Sequence, residues 1–156
     1  MTDLLVRLYD LPETVSRPLP ADVTVRRAFA PERSAVIAWV GETFQARWSS
    51  ECAIAFSGHP IATFIAIRAG RLVGFASHDG IAKGFFGPTG VAEAERRQGI
   101  GEALLMTTLR GMREAGYAYA IIGWANVDFY KKHLDVIEIP NSEPGAYRGL
   151  LPVKDG

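Results

Sequence analysis

This chain of 156 residues has little cysteine, no excess of charge of either sign and no long hydrophobic run. Cys52 is the only cysteine, so neither an internal disulfide nor a cysteine metal cluster can form. The formal net charge is zero, which gives no global attraction to nucleic acid or to an anionic membrane. No apolar run approaches the length of a transmembrane helix, and no signal peptide is evident. We therefore expect a cytoplasmic protein without a nucleic-acid or membrane partner.

Histidine sets of the kind that bind metals are also lacking. His59, His78 and His133 fall on separate predicted elements, so no metal site is predicted. The length suits one domain over residues 1–156. Residues 1–20 predict an added N-terminal edge strand, followed by a linker that three prolines interrupt.

The rest of the chain alternates short strands with helices, which indicates an α/β fold. Apolar runs bounded by turn residues predict strands at 4–10, 23–29, 61–68, 71–78, 85–91, 117–122, 134–139 and 146–151. Apolar residues at helical spacing predict helices at 31–44, 47–56, 99–116 and 126–133. The run 85–91 contains a proline, which is unusual in a central strand and predicts a bulge or a splay there.

The most informative stretch is 91–102, where a strand ends and a helix begins. The first turn of a helix has unpaired N–H groups and partial positive charge, and Gly99 and Gly101 let a ligand approach those amides. Arg96 and Arg97 add positive side chains. The stretch therefore predicts a phosphate or pyrophosphate ligand. A dinucleotide fingerprint needs a third glycine three residues after Gly101, and a P-loop needs a lysine directly after it; neither is present.

The segment Arg96-Arg97-Gln98-Gly99-Ile100-Gly101 resembles the Gln/Arg-x-x-Gly-x-Gly/Ala signature of the GNAT superfamily of acyl-CoA-dependent N-acetyltransferases. The predicted element order is similar to the layout of that family from about residue 23 to 151. The resemblance implies a mixed, mostly antiparallel, twisted sheet with helices on both faces. It also implies that the family's fourth and fifth strands, here 85–91 and 118–123, splay apart.

The resemblance implies acetyl-CoA as the cofactor. The residues that it assigns to cofactor binding are Val91, Arg96, Arg97, Gln98, Gly99, Ile100, Gly101, Glu102 and Tyr130.

A second match is Phe129-Tyr130-Lys131, which is similar to a Phe-Tyr-Lys-like segment that follows the fifth strand of this family. The resemblance implies that Tyr130 protonates the departing thiolate, and that a backbone amide near Val91 polarises the thioester carbonyl. The expected activity is direct transfer of acetyl from acetyl-CoA to a primary amine of a small molecule or peptide, without a covalent enzyme intermediate.

The general base is not evident, because the run 84–91 contains no acidic residue. Glu51, Asp79, Glu93 and an ordered water are the candidates, and Glu51 is our choice because its predicted helix often lines the acceptor pocket in this family. Trp48, Asp79 and Trp124 are the predicted acceptor-binding residues. The missing acid leaves open an alternative function, a non-catalytic acyl-CoA-binding sensor or interaction module. A homodimer through the extra strand or residues 134–151 also stays open.

Overall fold

The computed structural model describes residues 1–152, which form seven strands and four α-helices. The strands are β1 (Thr2–Arg7), β2 (Val23–Arg27), β3 (Thr63–Arg68), β4 (Arg71–His78), β5 (Phe85–Val91), β6 (Tyr119–Ala125) and β7 (Val136–Glu138). The helices are α1 (Arg33–Thr43), α2 (Ala46–Ala55), α3 (Ile100–Glu114) and α4 (Val127–Lys131). The strands form one sheet in the order β2-β3-β4-β5-β6-β1-β7. Among the pairs in this sheet only β5 and β6 are parallel, which confirms the predicted mixed, mostly antiparallel sheet.

Helices cover both faces of the sheet because the side chains of its strands alternate between the faces. Phe64 and Ala66 of β3 pack in the core cluster that contains Leu104 of α3. Ile65, between them, packs in the cluster that contains Val40 of α1. The predicted two-sided architecture is therefore confirmed. None of the helices within residues 1–152 has the length and apolarity needed to span a membrane.

The N-terminal strand does not lie at the edge of the sheet, so that prediction was wrong. β1 lies between β6 and β7 and pairs antiparallel with both. Leu4 and Val6 are buried in the larger core cluster, and Leu8 continues it after the strand. β7 has only three residues, and Ile137 and Glu138 are exposed, so β7 is the strand suited to an edge.

The predicted strand at 146–151 is also wrong. Gly145–Tyr147 form a single 3₁₀ turn, and no strand follows it within the described residues. Gly145 and Gly149 have φ angles of 64° and 74°, which are incompatible with extended strand backbone. The turn directs Tyr147 towards Trp124, with 5.7 Å between their ring centroids. This segment therefore contributes to a surface beside β6 instead of adding a strand.

The feature of the sheet that positions the site is the divergence of β5 from β6. Their parallel pairing covers only Phe85 with Ile121 and Phe86 with Ile122. On the other side of β5, the pairing with β4 shifts register between Phe86 and Thr89. This shift is a β-bulge, and it lies at Pro88, where the sequence predicts a bulge or a splay. The predicted splay and the predicted bulge are both confirmed, and the backbone of β5 after Phe86 has no ladder with β6.

Candidate active site

The divergence of β5 and β6 opens a cleft with a volume of about 1020 Å³. Residues 87–91 of β5 and 122–125 of β6 form its two walls. The cleft reaches both faces of the sheet. On the face covered by α3 it ends at what we call the loop end, formed by residues 96, 97 and 99–102 together with Ser16 and Arg17. On the opposite face it ends at what we call the aromatic end, formed by Phe44, Gln45, Arg47, Trp48, Trp124 and Tyr147.

The loop end is built around the start of α3. Gly99 precedes the helix with φ 84° and ψ 3°, a left-handed conformation that favours glycine. Within residues 1–152 no side chain caps α3, so the N–H groups of its first turn remain available to a ligand. A Cβ built at Gly101 would have no atom nearer than 3.8 Å, whereas Ile100 is buried and anchors the helix start. This arrangement suits an anionic group held by backbone amides.

The loop that leads into α3 is braced from β3. Arg68 pairs with Glu95 and donates a hydrogen bond of 2.8 Å from Nη2 to Oε1 of Gln98. Gln98 does not line the cleft, so the structure does not bring it together with the other predicted loop residues. Arg96 lines the cleft, and its Nε donates to the carbonyl oxygen of Val91 at 3.0 Å. The side chains of this loop are therefore partly used to fix its own conformation.

Ser16 and Arg17 cover the loop end and were not found from the sequence. The backbone N–H of Ser16 donates to Oε1 of Glu102 at 2.6 Å, and its hydroxyl donates to Oε2. Nη1 of Arg17 donates to the carbonyl oxygen of Arg97 at 3.1 Å. A Cβ built at Gly99 would lie only 2.8 Å from Cγ of Arg17, so the arginine packs directly on the glycine. No local pattern marks these two residues, since they lie in the proline-interrupted linker.

Glu102 is a buried carboxylate in the first turn of α3. Burial by itself would raise its pKa, but the two hydrogen bonds from Ser16, together with the neighbouring His133 and Arg17, outweigh burial. The pKa of Glu102 is therefore lowered, and the group is ionised at neutral pH. His133 lies nearby, with 3.4 Å between its Nδ1 and Oε2 of Glu102.

Tyr130 lines the middle of the cleft from α4. It is 8% exposed, and its ring meets that of Phe86 edge-on, with 6.3 Å between the centroids. Burial raises the pKa of its hydroxyl well above the usual value. The hydroxyl is therefore protonated at neutral pH and chemically suited to donate a proton.

The aromatic end combines rings that pack at a tilt with a single guanidinium. The ring centroids of Phe44 and Trp48 are 5.2 Å apart. The guanidinium carbon of Arg47 lies 5.0 Å from the ring centroid of Tyr147, which itself contacts Trp124. The predicted acceptor residues Trp48 and Trp124 thus both line the cleft. Arg47 was not found from the sequence, because no motif connects it with an aromatic residue 100 positions away.

Glu51 lies behind the aromatic end and does not line the cleft. The hydroxyl of Tyr147 donates to Oε1 of Glu51 at 3.2 Å, whereas Oε2 is buried without a hydrogen-bond partner among residues 1–152. Burial raises the pKa of Glu51 above its usual value, and burial together with the Glu51 charge raises that of Tyr147. The carboxylate is connected to the cleft only through the tyrosine hydroxyl.

The other predicted acids lie away from the cleft. Asp79 accepts hydrogen bonds from the backbone N–H of Gly84 at 2.7 Å and from the hydroxyl of Tyr117 at 2.9 Å, and its Oδ2 is 2.9 Å from Nδ1 of His78. These contacts fix the turn before β5. Glu93 is exposed in the 3₁₀ turn after β5 and does not line the cleft.

Several solved structures have the same fold. The GCN5-related N-acetyltransferase of Sphaerobacter thermophilus aligns with a TM-score of 0.68 at 20% identity, over 88% of this chain and 48% of that one. A glucosamine N-acetyltransferase region of a fungal multi-domain GH3 β-N-acetylglucosaminidase aligns with a TM-score of 0.66 at 17% identity, over 88% and 20% of the two chains. The Escherichia coli acetyltransferase YhbS, solved with CoA, aligns with a TM-score of 0.50 at 18% identity, over 65% and 62%.

The chain spans about half of the Sphaerobacter protein and a fifth of the fungal one. No curated protein matches it. The sequence profile of the Acetyltransferase (GNAT) family matches residues 31–135, which is more than half of the chain and includes the loop at 96–102, the splayed strands and Tyr130. The chain therefore belongs to the GNAT family of acetyltransferases.

Proposed function

We propose that this protein transfers an acetyl group from acetyl-CoA to a primary amine by direct attack within a ternary complex. The observation that carries the proposal is the cleft between β5 and β6. It joins the uncapped start of α3 on one face of the sheet to the aromatic end on the other. Two substrates can therefore enter from opposite faces and meet beside Tyr130, which removes the need for a covalent intermediate.

The loop end fits the phosphates of coenzyme A. The free amides of the first turn of α3 and the guanidinium groups of Arg17, Arg96 and Arg97 supply hydrogen bonds and positive charge. Ile100 and Glu102 are buried in the same turn, so the helix start that carries these amides is anchored in the protein. The likeness to YhbS, which was solved with CoA, supports this assignment. When bound, acetyl-CoA supplies the acetyl group as an activated thioester.

The thioester carbonyl would be polarised by a backbone N–H on the edge of β5 that β6 leaves unpaired. After Phe86 this strand has no ladder with β6, so a backbone N–H near Val91 is proposed to bind the carbonyl oxygen and stabilise its developing negative charge. Tyr130 is proposed to give its proton to the departing sulfur. Its raised pKa keeps that proton on the hydroxyl at neutral pH.

The attacking nitrogen must first lose a proton, because a free alkylamine has a pKa of about 10.4. We propose that the proton passes to the hydroxyl oxygen of Tyr147 while the tyrosine proton moves to Oε1 of Glu51. The 3.2 Å hydrogen bond between them supports this route, and burial of Glu51 raises the proton affinity that it needs. An ordered water at the same hydroxyl is the alternative acceptor.

The function is tested with Tyr130→Phe, with Tyr119→Phe as the matched control because Tyr119 is exposed and outside the cleft. We expect the amine-dependent release of CoA thiol by Tyr130→Phe to fall by about a hundredfold or more, as for loss of a general acid. The affinity for CoA should stay within about threefold, because the loop end is unchanged. Full turnover by Tyr130→Phe would exclude the acid role.

A non-catalytic acyl-CoA-binding module is the second candidate. It is favoured by one observation, that no carboxylate lines the aromatic end within the described residues. Binding of CoA by the wild type, with no thiol release on any primary amine, would establish that alternative.

A further inference from the structure

Arg47 places an unpaired positive charge at the aromatic end. Among residues 1–152 no carboxylate oxygen lies within 4.0 Å of its guanidinium, and its contact with Oε1 of Gln45 is long, at 3.4 Å. The ammonium group of Met1, which also lines the cleft, is by contrast paired with Glu143 at 3.3 Å. The guanidinium of Arg47 therefore has no salt bridge within the described residues, although its charge acts at longer range on Glu51 and Tyr147 and opposes the rise in the pKa of both.

Glu51 interacts with the charge of Arg47 at a distance but does not itself line the cleft. Glu51 lies behind Tyr147, with Oε1 bonded to the tyrosine hydroxyl and Oε2 buried. The indole N–H of Trp124 has no acceptor among residues 1–152, and Oε1 of Gln45 is directed to Arg47. A polyamine would meet like charge here, whereas an acceptor with an anionic group would find its partner.

We propose that the acceptor carries a carboxylate beside its reacting amine, as an amino acid does, and that Arg47 binds this carboxylate. The inference rests on the acetyl transfer proposed above. The planar guanidinium of arginine matches a carboxylate with two parallel hydrogen bonds. The ring of Tyr147 holds Arg47 in place, and Trp48 offers an apolar surface to the remainder of the acceptor. Arg47 is in this view a specificity-determining residue.

The experiment compares amino acids of aliphatic, aromatic and polar type, each paired with its own carboxamide, at saturating acetyl-CoA. The ratio of kcat/KM for the acid over the amide is measured in wild type, Arg47→Gln, Arg47→Lys and Arg113→Gln. Arg113 is exposed at the end of α3 and is the control for loss of a positive charge. Comparison of the ratio between variants cancels the different intrinsic reactivity of acids and amides.

We expect Arg47→Gln to lower the ratio by about tenfold or more, the usual contribution of a hydrogen bond to a charged group. The loss should appear mainly in KM for the acid, Arg47→Lys should recover part of it, and Arg113→Gln should leave it unchanged. The rise in melting temperature on adding CoA should be the same in all four proteins, which verifies that the loop end is intact.

Equal ratios in wild type and Arg47→Gln, or an equal change in Arg113→Gln, would overturn the inference and leave the acetyl transfer standing. Thiol release with polyamines but with none of the amino acids would overturn it in the same way. Absence of thiol release with every amine, while CoA still raises the melting temperature, would instead contradict the proposed function and the inference with it.

Discussion

The two ends of the cleft each have a buried or half-buried carboxylate, and the pKa values of the two shift in opposite directions. Glu102 at the loop end accepts two hydrogen bonds from Ser16 and has a lowered pKa. Glu51 behind the aromatic end accepts one hydrogen bond, from Tyr147, and has a raised pKa. Burial acts on both groups, but only at the loop end do local donors compensate for it.

This difference indicates two kinds of site. At the loop end donors and charges are already in place, so the region is built to hold a ligand without rearrangement. At the aromatic end one carboxylate oxygen has no protein partner, which keeps the proton affinity of Glu51 high. Such an under-satisfied acid is costly for stability but suited to proton transfer. Substitutions at the two ends should therefore differ in what they damage.

The largest effect is expected from Gly99→Glu at the loop end. Its new side chain would be forced onto Arg17 and would place a negative charge where phosphates bind. At 100 times its Kd, CoA should stabilise the wild type by about 2.7 kcal/mol, and this stabilisation should vanish in the variant. Thermal unfolding with and without CoA measures it.

The matched control is Gly116→Glu. Gly116 also has a positive φ, of 102°, but a Cβ built there meets nothing within 4 Å. Both variants therefore carry the backbone strain, and only one alters the loop end. A Gly99→Glu protein that CoA still stabilises as it does the control would show that phosphates bind elsewhere.

The loop end could be predicted from the sequence because its elements are consecutive. The glycines and arginines of 96–101, together with the helical run that follows, specify a strand, a turn and a helix start without help from the rest of the chain. The bulge and splay were likewise marked by a proline within β5. Local chemistry was sufficient wherever the determining residues were neighbours in the chain.

Distant contacts could not be predicted in this way. Ser16 meets Glu102 across 86 positions, and Tyr147 meets Glu51 across 96. The place of β1 in the sheet depends on its pairing with β6 more than 110 residues later. No periodicity or turn signal encodes such partners. The contacts of Ser16 with Glu102 and of Tyr147 with Glu51 were therefore not predicted.

A smaller effect is expected from Arg17→Gln, which tests the contribution of the N-terminal segment to the loop end. Arg17 contacts the loop at the carbonyl oxygen of Arg97, and its guanidinium is proposed to meet a phosphate. We expect the Kd for CoA to rise about tenfold at low salt, and less at high salt, because the interaction is charge-assisted and screened. Titrations at two ionic strengths measure it.

The exposed residue Arg71, at the start of β4 and outside the cleft, provides the control variant Arg71→Gln. Equal Kd values for Arg17→Gln and this control would exclude a phosphate contact by the N-terminal segment. The loop end would then be formed by residues 96, 97 and 99–102 alone.

The smallest effects concern stability alone. Loss of the charge should have different consequences at Glu102 and at Glu51. At pH 7 Glu102→Gln should lower the free energy of unfolding by about 1 to 2 kcal/mol, because Ser16 loses charged acceptors. Glu51→Gln should change it by no more than about 0.5 kcal/mol, or raise it, because it removes a partly buried charge that one hydrogen bond compensates poorly. Urea unfolding of both variants beside the wild type measures these differences.

The free energy of unfolding should depend on pH in opposite ways for the two carboxylates. Glu102 has a lowered pKa, so its stabilisation is complete above the ordinary value of about 4.5 and is lost as pH falls through the lowered folded value. Glu51 has a raised pKa, so the cost of its charge is complete above that raised value and disappears as pH falls through it. Between pH 7 and about pH 4.5 any advantage of Glu51→Gln over wild type should therefore fade first, while the deficit of Glu102→Gln persists until more acidic pH. Urea unfolding at pH 7, 5 and 4 tests this order, and differences that stay constant over that range would contradict the opposite shifts on which the contrast between the two ends rests.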